Sequence, residues 1–193
     1  FLMSRASIAH GSPTQRGIGI AMMLGCTEVV LPPVDLLSTV PADFEGKTTR
    51  AWYEGAITTD QCLGCHSVLT TAGYALEHFD VLGRYRDSEA GEPVDASAEL
   101  TLLESGPVTG HGEAMAAAAA SPIARRCFAE HWLSYATSSV YGERVYATAN
   151  SGPDAAWLDH VVARASYRPD FDLLEMAIAG VEGGPFLEPL VEP

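Results

Sequence analysis

Positive charge is scarce in this sequence. Eleven lysines and arginines stand against 25 aspartates and glutamates, a formal net charge of −14. That balance excludes nucleic acid and an anionic membrane surface as main partners, because both demand a basic face. Long apolar runs are missing too: nothing approaches the ~18 residues of a transmembrane helix. The opening Phe1-Leu2-Met3-Ser4-Arg5 has no basic stretch leading into an apolar one, so the chain reads as a mature form or a fragment. Internal repeats, a clear domain linker, a phosphate loop, a Ser-His-Asp arrangement and an H-E-x-x-H motif are all absent. What remains is 193 residues that are 47% apolar, enough for one globular domain with a real core.

Cysteine is sparse, four in all, and two of the four fall in Cys62-Leu63-Gly64-Cys65-His66. This C-x-x-C-H pattern has the form of a covalent haem c attachment site. Two thiols three positions apart lie on one helical turn and can reach the two vinyl groups of a porphyrin edge. The next residue then offers an imidazole to the iron. A thioredoxin-like redox pair would want a βαβ pattern around it, which is not visible. A structural zinc site would need Cys26 and Cys127, or a histidine, to complete four ligands, and these lack a paired spacing of their own. Haem c attachment belongs outside the cytoplasmic membrane, where disulfides persist. The remaining Cys26 and Cys127 are therefore expected to bridge, with two separate buried thiols as the alternative.

The rest reads as mostly α, one cytochrome c-like helical domain over 1–193 with a possible small β-hairpin. Helices are expected at 15–26, with Ile18, Met22 and Cys26 on one side, and at 48–57, with Trp52 and Tyr53 in the core. Thr58-Thr59-Asp60 can cap the helix that carries the haem motif, and 70–73 should break it. A further helix is expected at 74–85 on the spacing of Leu76, Phe79 and Leu82. Residues 93–103 read as the hairpin. The alanine-rich 113–120 is strongly helical, and Ser121-Pro122 opens another helix presenting Cys127, Phe128, His131, Trp132 and Tyr135. A helix after Pro153 should turn Trp157, Leu158, Val161 and Val162 inward. The last should bury Leu173, Leu174, Ala177 and Ile178, before an extended Pro-rich tail at 181–193.

The run from Cys65 to Arg86 resembles a block of the planctomycete-type exported cytochrome c proteins, a family built from domains of unknown function. That block reads CH, two residues, MDP, one residue, GFALENFD, then GRYR. Gly73, Ala75-Leu76-Glu77, Phe79-Asp80, Gly83, Arg84 and Arg86 match it. Arg16-Gly17, Pro32-Pro33, the run from Pro93 to Ser97, and the segment from Cys127 to Ala136 extend the likeness over roughly residues 1–180. The resemblance implies export, haem c and electron transfer, with more sequence before this region; it supplies no substrate. Four positions depart from the pattern. Leu69 stands for the methionine, Thr70-Thr71 for the Asp-Pro, and Ala56 for a histidine six residues before Cys62.

The iron's second axial ligand would decide its chemistry. His10 and Met115 are the leading candidates, followed by His111; His78, His131 and His160 read as ordinary helix residues. Met115 equally reads as a core residue, and His10 as a solvent-facing one. Arg84 and Arg86 read either as partners of haem propionates or as salt-bridge partners of Glu77 and Asp80. Tyr74, Phe79 and Trp52 would wall a porphyrin or fill a core. The expected function is that of a periplasmic or cell-surface monohaem c-type cytochrome passing single electrons to redox partner proteins. The alternatives are a haem subunit of a membrane-bound electron-transfer complex or filament, and an open-site haem enzyme.

Overall fold

The computed structural model describes residues 11–30, 45–136 and 153–182. His10, the prolines at 32, 33 and 41, and the tail from 183 lie outside the described residues. The expected fold class holds: seven α-helices are joined by two small antiparallel hairpins among the described residues. None of the helices is long and apolar enough to cross a membrane. Where the sequence reads as one domain, packing divides the chain into two compact units, Phe1–Ser121 and Pro122–Pro193.

In the first unit, α1 spans Pro13–Leu24. It starts two residues earlier than periodicity suggests because Ser12 caps it, accepting from the Gln15 amide, and Pro13 takes the first position, where no amide hydrogen is needed. Its inward residues are Ile18, Ile20 and Ala21, whereas Met22 is exposed. Helix α2 spans Thr49–Ala56 with Thr48 as its cap. Helix α3 spans Asp60–Gly73 and carries the C-x-x-C-H motif. It runs straight through Thr70-Thr71, where a break was expected. The Thr71 hydroxyl donates to the carbonyls of Ser67 and Val68 inside the helix, so the β-branched pair is accommodated.

Past Gly73 the expected helix at 74–85 does not form. A single 3₁₀ turn, Tyr74–Leu76, is followed by turns. The reason lies in a distant residue. The guanidinium of Arg16, fully buried, donates to the carbonyls of Leu76, Phe79 and Asp80, which a helix would need for itself. The Asp80 carboxylate accepts from the amides of Leu82 and Arg84, and Gly83 sits at φ 75.

The expected hairpin is two hairpins. Strand β1, Ser88–Glu89, pairs with β2, Glu92–Pro93, and β3, Ser97–Glu99, pairs with β4, Pro107–Thr109. Leu100, Leu103 and Val108 are buried beside them. Helix α4 spans Gly110–Ala120 and packs on the Tyr74–Leu76 turn.

The second unit holds α5 (Pro122–Ala136), α6 (Pro153–Ala165) and α7 (Leu173–Glu182). Ala129, Leu133, Leu158, Val161, Ala165, Met176 and Ala179 form its core, with Trp132 and Trp157 packed against it. The inward face of α6 is as expected. Those of α5 and α7 are rotated: Tyr135, Leu173 and Leu174 are exposed, while Leu133, Met176 and Ala179 are buried. On α7 the bulky Trp132 of α5 lies against Gly180, where an added Cβ would come within 2.6 Å of the indole, so small residues face the neighbour.

Candidate metal centre

Helix α3 owes its position to two glycine contacts with α1. A Cβ on Gly17 would fall 1.6 Å from the Leu69 carbonyl oxygen, and one on Gly73 would fall 1.8 Å from that of Pro13. Backbone therefore rests on backbone, and Ile18, Ala21 and Leu69 close the seam. Four to seven residues before Gly73 on the same helix come Leu69 and His66.

The close crossing brings α1 to the His66 ring. His66 Nδ1 lies 2.8 Å from Thr70 Oγ1 and 3.1 Å from Thr14 Oγ1, and the two hydroxyls are 2.8 Å apart. Ser12, two residues before Thr14, meets the Tyr53 hydroxyl at 3.1 Å. Burial pushes the His66 imidazole below its ordinary pKa, favouring the neutral ring that a metal needs. With Nδ1 held by hydroxyls, Nε2 is the nitrogen left for a ligand.

Cys62 and Cys65 carry free thiols, half-buried and exposed respectively. Gly64 between them faces open space, and Leu63 is 40% exposed. The turn therefore stands at the surface with both sulfurs unbridged and nothing crowding them. Two thiols and a neutral imidazole with its other nitrogen hydrogen-bonded is the donor set a covalent haem requires. The residues present fit that group. Cys62 and Cys65 would tether it and His66 would hold its iron, which supplies one-electron chemistry when bound.

The arginines on either side of the motif in sequence form ion pairs. Arg16 and Glu77 form an ion pair at 3.2 Å, with side chains 0% and 2% exposed. Glu77 also receives Arg86 at 3.3 Å, and Arg86 donates on to Glu89 at 2.6 Å. Glu89 then accepts from the amide and hydroxyl of Thr49, both at 2.7 Å, tying in the start of α2. Burial pushes the Glu77 carboxyl up, to about 7, against the pull of Arg16 and Arg86. Arg84 is mostly exposed and pairs with Asp80 at 2.8 Å. Both arginines thus make the salt bridges that stood as one of the two sequence readings. Trp52 and Tyr74 are buried, with the Tyr74 ring under the Arg50 guanidinium, 4.3 Å from its centroid.

Of the candidate axial residues, His10 lies outside the described residues, and His111 and Met115 share α4. Met115 is 46% exposed on α4. His111 meets the rings of Phe79 and Tyr85 at 5.0 and 6.3 Å. His78 stacks on Tyr85 and lies with Nδ1 2.9 Å from the Arg86 carbonyl oxygen. Cys26 follows α1 at φ 45, and Cys127 is buried on α5.

Two residues at the site escaped the sequence reading. Thr70 carried a signal: it lies four positions after His66, the spacing that puts side chains on one helical face. Thr14, 52 residues before His66, carried none.

A family model described as PSCyt3, a protein of unknown function (DUF1588), matches residues 1–89. The match takes in α1, α2, α3 and the whole ladder from Arg16 to Glu89. No curated protein and no solved structure matches the chain.

Proposed function

We propose that this chain is a c-type cytochrome unit that passes single electrons through one haem, tethered by Cys62 and Cys65 with His66 as proximal ligand. The observation that carries the reading is the His66 environment. A C-x-x-C-H turn has its histidine oriented through Nδ1 by two hydroxyls, the arrangement expected of a metal-ligating imidazole. The free, accessible thiols agree with it, and the name of the matching family points the same way. The protein's own part is to hold the imidazole neutral and oriented and to keep the tethering turn open at the surface. His10 and Met115 are proposed as the residues from which the second axial ligand comes. Export to the periplasm or cell surface, redox protein partners and a Cys26–Cys127 bridge belong to the same proposal.

The test is expression with export and with haem-attachment machinery. A pyridine haemochrome spectrum of the covalent type and a mass increase of one haem are expected. Purified protein that takes up zinc, or forms a Cys62–Cys65 disulfide, and never carries haem would sink the reading.

A further inference from the structure

We infer that Thr14 and Thr70 are positioning residues which set the reduction potential of the haem iron through His66 Nδ1; this rests on the haem reading above. Three polar atoms, His66 Nδ1, Thr14 Oγ1 and Thr70 Oγ1, lie mutually within 2.8–3.1 Å. When Nε2 is the ligand, Nδ1 carries the ring proton and must donate it. A hydroxyl that accepts that proton makes the imidazole more basic and fixes its plane. A more basic imidazole favours ferric over ferrous iron and lowers the potential.

The two hydroxyls are not equivalent. Thr70 is on the same helix as His66, one turn on, and is 3% or less exposed as part of the buried seam. Thr14 comes from the first turn of α1, next to Pro13, whose carbonyl rests on Gly73. Arg16, two residues further, is locked to Leu76, Glu77, Phe79 and Asp80. Thr14 therefore reaches His66 from a helix held on both sides. Thr14 and Thr70 share one hydrogen bond as well, and whichever hydroxyl donates in it becomes the stronger acceptor for the ring proton. Helix α1 thereby becomes a lever on the iron's proximal side, with Thr14 at its tip.

The test compares wild type with Thr14→Val, Thr70→Val and the double variant, and with Thr14→Ser and Thr70→Ser, which keep the hydroxyls. Haem content by haemochrome and mass comes first. Wild type without covalent haem would overturn both the inference and the reading beneath it. With haem attached, removing both acceptors should shift the ferric-to-ferrous affinity ratio about tenfold, about 59 mV upward for one electron. The paramagnetically shifted proton resonances of the His66 ring should move as well. The serine variants should stay near wild type. Variants that carry full haem yet keep the wild-type potential and ring signals would overturn the inference and leave the haem reading standing. Should the double variant fail to fold, Thr14→Val, on a half-buried side chain, supplies the same comparison.

Discussion

The α-carbon of Gly17 stands so close to α3 that a methyl group there would lie 1.6 Å from the carbonyl oxygen of Leu69. The matching contact of Gly73 on Pro13 makes the crossing reciprocal, and His66 and Thr14 lie beside it. Gly17→Ala and Gly73→Ala should each destabilise the fold by at least ~2 kcal/mol, since neither obstacle is a flexible side-chain end. Chemical denaturation with circular dichroism reads the loss. An unchanged midpoint in either variant would refute the close crossing.

The Arg16–Glu77 pair is withdrawn from solvent, and removing Arg16 leaves the buried Glu77 carboxylate with Arg86 alone. Arg16→Ala should cost about 3–5 kcal/mol, because it also abandons the carbonyls of Leu76, Phe79 and Asp80. Arg84→Ala, whose partner Asp80 is at the surface, should change the denaturation midpoint little. Equal effects from the two substitutions would contradict the assigned roles.

Cys62→Ser and Cys65→Ser should each leave a haem held by one thioether, and the double variant none that survives acid–acetone extraction. His66→Ala should lose the wild-type spectrum even where the tethers remain. Covalent haem persisting in the double cysteine variant would mean that the attachment lies elsewhere.

For the haem-free protein, the pH dependence follows from His66. Its folded pKa is depressed below the ordinary 6.5, so between the two values the unfolded chain binds more protons. Stability is then full above about 6.5 and falls as pH drops through that window. Glu77, its carboxyl pushed up to about 7, contributes the opposite slope there, so the His66 component is read as the difference in denaturation midpoint between wild type and His66→Gln, which should decline across the window. A decline identical in the variant would assign the effect to other groups.

The proposed Cys26–Cys127 bridge would close a loop of about 100 residues, which stabilises by ~4–5 kcal/mol in the chain-entropy model. Under denaturing, non-reducing conditions, haem-loaded protein should show no titratable thiol. Two reactive thiols there would exclude the bridge.

The parts of this molecule that depend on neighbours in sequence were legible in it. The C-x-x-C-H turn, the Pro122 helix start and the alanine helix all rest on interactions within a few residues. The helix expected at 74–85 failed for the opposite reason. Its periodicity is real, but Arg16, some sixty residues earlier, takes the carbonyls that such a helix would use. The buried faces of α5 and α7 do not follow their largest apolar residues, since Tyr135, Leu173 and Leu174 are exposed. Packing against Trp132 instead favoured the small residues Ala179 and Gly180.

Residue type and spacing were thus sufficient to place two thiols and an imidazole on one turn, because a helix converts spacing into geometry by itself. That the Thr14 hydroxyl meets the other side of that imidazole, and that Arg16 and Arg86 share the Glu77 carboxylate, was decided only in three dimensions. The contacts made by Thr14 and Arg16 join segments whose separation along the chain carries no periodic signal, and they need α1 to be seated on α3.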